Sequence, residues 1–421
     1  MKKSSIINLI VSLLVIFIIT SFQEEHDNKV NIIWDAQIDY LQGKEFAQKG
    51  ITGQGLRIAI LDGGFPGTNT HPALKHLIDR KKILSTWNFV KNKENVFTGD
   101  SHGTAVLSCI AGILNGRPLG LAPDADFLLA VTETTGEPRS EELNWAKAVD
   151  WAIDHGANII QSSLGYTYHR YFTFDLDGRH SIAAQAAARA ARKGVLIVNC
   201  NGNEGQSKWQ TVVTPADADS ILSVGAIDIV TGLVAGFSSV GPTADKRMKP
   251  NVCAPGKVIT LNPKGGIRIM EGTSFSAPLI TGFAACTWQM NRSLPAQDII
   301  KMIEKSGHLY PYFDYSHGFG IPQASRIINP IQDTCSGKIA ITEINQDLFI
   351  HVWNSNLSTV SPRNEPYLYF KFSDTLGFVI KYGAYRMESE APLVLSLSEY
   401  NKGIIFQCSF NGEIAEWKVQ K

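Results

Sequence analysis

Arg57-Ile58-Ala59-Ile60-Leu61-Asp62-Gly63-Gly64-Phe65 is the stretch that decides the fold. Its continuous apolar run reads as a short strand covered on both faces, the kind that builds parallel sheets. The run stops at Asp62, and two glycines let the chain turn away sharply. In parallel sheets the functional groups collect outside the carboxyl ends of the strands. Taken alone, Asp62 reads as a turn-capping aspartate, since Asx turns after strands are common.

Working outward, further strand candidates are Phe127–Val131, Asn158–Gln161, Val195–Val198 and Ile221–Val224. Helical patterns such as Glu141–Ile153 and Ser181–Arg192 lie between them. This alternation predicts an α/β fold, a parallel sheet flanked by helices on both faces. After Ile327-Ile328-Asn329-Pro330 the pattern changes. From Cys335 onward, period-2 stretches (Lys338–Thr342, Leu348–Trp353, Tyr367–Phe372, Phe378–Lys381, Leu393–Leu397, Ile404–Phe410) predict a small antiparallel β domain. The expected organisation is a leader at 1–21, one α/β domain at 22–332 and the β domain at 333–421.

Composition narrows the function. The 421 residues carry 39 Lys+Arg and 39 Asp+Glu, a formal net charge of +0. A balanced chain has no electrostatic footprint for nucleic acid or an anionic membrane. Six cysteines, none in a CxxC or Cys/His metal spacing, make neither a disulfide scaffold nor a metal cage. Lys2 and Lys3 precede the apolar run Ile6–Ile19, which Asn8 and Ser12 interrupt. This is the pattern of a secretory signal, with Ser21 as the expected last residue removed. The run falls short of the ~20 apolar residues of a permanent membrane span. The expected location is therefore exported: secreted, periplasmic or on the cell surface.

Four segments place a reactive side chain against glycine. Asp62 ends the first strand. His102, in Asp100-Ser101-His102-Gly103-Thr104, enters a small-residue helix, and Gly103 allows close backbone approach to another element. Ser274, in Gly272-Thr273-Ser274-Phe275-Ser276-Ala277-Pro278, stands at a loop-to-helix junction, where the helix dipole favours developing negative charge. Asn203, in Asn201-Gly202-Asn203-Glu204-Gly205, follows a buried strand and offers an amide donor. Each has a bland reading: capping aspartate, surface histidine, N-cap serine, turn asparagine.

Together these segments resemble the subtilase family of serine peptidases, whose chain order is Asp, His, Ser. Ser162-Ser163-Leu164-Gly165, Thr214-Pro215-Ala216, Lys249-Pro250-Asn251 and Ala254-Pro255-Gly256 carry the same resemblance, which covers about residues 34–328. It implies that Ser274 attacks a scissile carbonyl, His102 moves the proton and Asp62 holds the imidazole. It implies an oxyanion site from the Asn203 amide and the Ser274 N–H, and substrate binding along Ser163, Leu164 and Gly165. Polypeptides are the expected substrates, with no cofactor required and no metal ligands. Carboxylates such as Asp175, Asp177, Asp217 and Asp219 leave structural calcium open, although no loop reads as a calcium site.

The sequence departs from the family in places. Thr135-Gly136-Glu137-Pro138-Arg139 stands where a Gly-rich edge strand clamps substrate, and Pro138 removes a donor there. Tyr166 replaces a glycine beside the primary pocket, and Phe275 replaces a methionine. Fewer than about 30 residues separate leader and domain, too few for a folding pro-domain. Cys109, Cys200, Cys253 and Cys286 read as buried small hydrophobes, and a Cys335–Cys408 disulfide is left open. The rival from another class is a catalytically silent binding protein on the same scaffold. An esterase reading fails, because neither Gly-x-Ser-x-Gly nor the order Ser, Asp, His is present.

Overall fold

A computed structural model describes residues 27–134, 136, 138–167, 170–330, 338–353, 366–387 and 391–419. The leader and Cys335 lie outside the described residues. Seven parallel strands form the central sheet: β1 (Arg57–Asp62), β2 (Ile83–Asn88), β3 (Asp126–Val131), β4 (Ile159–Ser162), β5 (Leu196–Cys200), β6 (Leu222–Ile227) and β7 (Val252–Pro255). Their spatial order is β2-β3-β1-β4-β5-β6-β7. The order reverses beside β1, which pairs with β3 on one side and β4 on the other, so the carboxyl end of β1 opens at a switch point.

Alternate residues of β1, β3, β4 and β5 feed two separate cores. Ile58, Ile60, Leu129 and Val198 pack under helices α1 (His102–Ala111) and α4 (Thr273–Met290). Ala59, Leu61, Leu128 and Ile197 pack under α2 (Ser140–Asp154) and α3 (Ile182–Arg192). Burial on both faces is why these strands read as unbroken apolar runs.

Two of the sheet's strands escaped the sequence reading. β2 is an edge strand whose residues are mostly half-exposed, so its apolar run is broken by Ser85 and Thr86. β7 has four residues and ends in Pro255, tolerated because this too is an edge of the sheet. The hairpin of β8 (Lys257–Leu261) and β9 (Ile267–Glu271) went unread as well. Pro138 lies just ahead of α2 and outside the strands.

Residues 27–39 are helical and belong to the α/β unit. Ile33, Trp34 and Ile38 are buried, and Gln37 is fully buried. The Gln37 amide donates to the Leu119 carbonyl at 2.5 Å and accepts from the Ile259 N–H at 2.9 Å.

The C-terminal strands form a three-stranded and a four-stranded antiparallel sheet around Leu348, Leu368, Phe372 and Phe406. Glu413–Lys418 adds an edge strand that its charged residues hid. Cys408 is buried and forms no disulfide among the described residues. This unit docks through Tyr369, whose ring lies 5.3 Å from His317 and 6.3 Å from both His308 and Tyr312. Lys371 donates to the Phe313 carbonyl at 2.8 Å and covers the Tyr312 ring.

His308 makes this junction acid-sensitive. Its Nδ1 accepts the Ile321 N–H at 2.8 Å, and burial, aided by the charge of His317, lowers its pKa to about 3. Unfolded, the same imidazole titrates near 6.5. Between those values the unfolded chain binds a proton that the folded chain refuses. Stability should therefore fall as pH drops below 6.5, by about 1.4 kcal/mol per pH unit from this group. Urea unfolding at pH 6.5 and 4.5 should show a shallower loss in His308→Asn; an unchanged slope would assign the loss elsewhere.

Candidate active site

Asp62 closes β1 with its carboxylate buried beneath α1. Oδ1 accepts the Gly63 N–H at 2.7 Å. The His102 Nδ1 lies 2.9 Å from Oδ2 and 3.0 Å from Oδ1. Gly103 makes this approach sterically feasible: a β-carbon there would sit 2.5 Å from the Gly64 oxygen and 2.9 Å from Asp62 Cβ. Asp100 fixes the start of α1 by accepting the His102 N–H at 2.8 Å. The imidazole is 27% exposed, so its other edge reaches the cleft. Burial favours the neutral ring, but the charge and hydrogen bond of Asp62 outweigh it and raise the His102 pKa above its ordinary value.

Ser274 is the second residue of α4, which begins at Thr273 and not at the serine. Pro278 is consequently inside the helix, where it lacks the N–H that would bond the Ser274 carbonyl. Ser163 takes that vacancy, donating its hydroxyl to the Ser274 oxygen at 2.6 Å. The Ser163 hydroxyl in turn accepts from Gln161 Nε2 at 2.8 Å, and Thr281 of α4 donates to Gln161 Oε1. Sequence motif and helix break thus combine to pin the serine to the end of β4. The Ser274 hydroxyl donates to the Ser163 carbonyl at 3.4 Å. The Phe275 ring lies 5.4 Å from the imidazole of His102.

Asn203 is tied to the same helix start. Its Oδ1 accepts both the N–H and the hydroxyl of Thr273, each at 2.9 Å. Two donors on one side require the carboxamide oxygen there, which turns the exposed Nδ2 away as a free donor beside Gly272.

Asp62, His102, Ser163, Leu164, Glu133, Arg268 and Met270 line one cleft of about 800 Å³. Leu164 is a half-buried wall, and Gly165 is exposed. Tyr166 is buried, with its ring beneath the Arg170 guanidinium and its hydroxyl donating to Glu133 at 3.1 Å. Glu133 has no sequence signature. Burial, with the charge of Glu141 nearby, pushes its carboxyl up to about 8. Burial also pushes the Cys109 and Cys200 thiols up to about 12, which removes them as nucleophiles.

Among the described residues no cluster of His, Cys, Asp or Glu could hold a metal ion. Arg247 sits where Asp177, Asp217 and Asp219 converge, donating to the carbonyls of Asp217 at 2.8 Å and Asp177 at 2.7 Å. Among the described residues no helix is long and apolar enough to cross a membrane.

The thermostable alkaline protease of Halalkalibacterium halodurans is 30% identical over 251 residues, which is 59% of this chain and 61% of that protein. Subtilisin BL of Lederbergia lenta is 30% identical over 258 residues, 61% of this chain and 84% of that protein. The crystal structure of MycP1 with its N-terminal propeptide removed superposes with a TM-score of 0.58 at 25% identity, covering 70% of this chain and 96% of that one. The subtilase family model matches residues 53–320, well over half of the chain. With this match and the fold that carries it, the chain belongs to the subtilase family of serine peptidases.

Proposed function

We propose that the protein is an exported serine endopeptidase that cuts polypeptides through Asp62, His102 and Ser274. The carrying observation is the His102 Nδ1 seated on both oxygens of the buried Asp62. That contact fixes the proton on Nδ1 and leaves Nε2 as the acceptor facing the cleft. Nε2 takes the Ser274 proton as Oγ attacks the scissile carbonyl carbon. The negative charge on the carbonyl oxygen is met by Asn203 Nδ2 and the Ser274 N–H, at the positive end of α4. His102 then protonates the leaving amine, and a water reverses the sequence to release the acyl product. The 3.4 Å bond from the serine hydroxyl to Ser163 is compatible with this, because catalytic hydrogen bonds often tighten only with substrate present.

The substrate backbone would run between the segment 163–165 and the residues that follow β3. No cofactor enters these steps. Export rests on the basic, then apolar, N-terminus. The silent-scaffold alternative is not favoured, since the chain keeps all three residue types in the family's order and His102 is seated on Asp62.

The pH–rate profile tests this reading. The general base must be neutral, and Asp62 holds its pKa above the ordinary 6.5. kcat/KM on a peptide should rise with a midpoint above 6.5 and stay high into alkaline pH. A profile highest at acid pH and lost by neutrality would contradict it.

A further inference from the structure

The cleft that holds Asp62 and His102 has a second wall, whose chemistry the steps above leave unused. It is β9, which brings Arg268 and Met270 into the same cleft of about 800 Å³. Residues two apart on a strand share a face, so these side chains stand in a row, about 7 Å apart along the strand. The Arg268 Nη2 donates to the Ser101 hydroxyl at 3.1 Å, which ties the hairpin to the residue before His102. The guanidinium is near enough for its charge to oppose protonation of the imidazole.

Arg268 carries more hydrogen-bonding capacity than the protein uses. A guanidinium has five N–H donors in a planar fork. Ser101 takes one, and Nε is buried with no hydrogen-bond partner. Among the described residues Arg268 forms no ion pair; Glu271 on the same strand pairs with Lys257 instead. The acids of the cleft are engaged elsewhere: Asp62 by the His102 ring, Asp100 by the His102 N–H, and Glu133 by the Tyr166 hydroxyl. Lys91, the other cation that lines the cleft, is exposed and better screened. A half-buried charge with no counter-ion is costly, so the cleft is complementary to an anion at Arg268.

His102 protonates the leaving amine, so the departing chain begins at the imidazole. The acyl part of the substrate lies along 163–165 and the residues after β3. Ser101 and β9 are left to border the departing part. We propose that Arg268 is a specificity-determining residue that binds a carboxylate on the leaving-group side of the cut. The proposal rests on the peptidase reading above. The guanidinium fork matches a carboxylate, which accepts two parallel N–H bonds. Such a carboxylate has two sources: an Asp or Glu side chain just after the cut, or the free C-terminus of a substrate that ends there.

The test uses the full chain and a peptide it cleaves, varied only beyond the scissile bond. Three amide-capped versions place Glu, Gln or Lys directly after the cut, and a fourth is the Gln peptide with a free C-terminal acid. Ratios of kcat/KM within one enzyme cancel any effect of Arg268 on His102 itself. Glu over Gln should be about 10-fold if the side chain is the source, and free acid over amide about 10-fold if the terminus is. Lys should fall below Gln. Arg268→Gln should bring both ratios to unity, and Arg268→Lys should keep part of the preference. Wild-type ratios near unity in both comparisons overturn the proposal, even should the variants fail to fold. So does a preference that persists in an Arg268→Gln protein that still reacts with a fluorophosphonate. In either case the peptidase reading stands. Absence of both cleavage and fluorophosphonate labelling in the wild type would overturn the two together.

Discussion

Ser274→Ala is expected to lower kcat by about 10⁶, the size of the nucleophile's loss in subtilisin itself. The argument is structural as much as chemical. The hydroxyl makes one long hydrogen bond, 3.4 Å to the Ser163 carbonyl, so its removal leaves the fold nearly untouched. The Ser163 hydroxyl bonds the Ser274 backbone oxygen, which alanine keeps. Asn203 and the cleft also remain, so substrate should bind with near-normal KM while turnover disappears. Steady-state kinetics beside a thermal melt separates the two effects. A variant with native melting and activity within tenfold of wild type would exclude Ser274 as the nucleophile.

Asp62→Asn is expected to lower kcat by about 10⁴ at neutral pH through the wrong histidine tautomer. One carboxylate oxygen accepts the Gly63 N–H at 2.7 Å, and the other lies 2.9 Å from His102 Nδ1. An asparagine keeps its oxygen on Gly63, because its NH₂ cannot accept that bond. The NH₂ then faces Nδ1 and donates to it, which drives the imidazole proton to Nε2. A protonated Nε2 cannot receive the serine proton. Nitrogen chemical shifts of the His102 ring should report the tautomer change alongside the kinetic loss. Unaltered shifts with a full loss of rate would show that Asp62 acts in another way.

Much of this was legible because the fold and the site obey the same local rules. β1 announced itself through residues buried on both faces and a polar stop at Asp62. The His102, Asn203 and Ser274 segments were readable because glycine marks the places where backbone must approach closely, as Gly103 does against Gly64. What escaped was set by tertiary context. β2 and Glu413–Lys418 are edge strands with exposed residues, so their apolar pattern is diluted. Pro278 is simply part of the segment around Ser274 when read along the chain, yet its missing N–H is what frees the Ser274 carbonyl for Ser163. Glu133 acquires its raised pKa only when burial and the charge of Glu141 act on it, and its bond from the Tyr166 hydroxyl only through the fold, which no spacing in the chain reveals.

The central claim, a nucleophilic Ser274 activated by His102 on Asp62, is tested most directly by mass spectrometry after treatment with a fluorophosphonate. One adduct per chain is expected, located on Ser274, with peptidase activity lost in step with labelling. Both labelling and activity should be absent in Ser274→Ala. An unlabelled wild-type chain, or an adduct on any other residue with activity intact in Ser274→Ala, would contradict it.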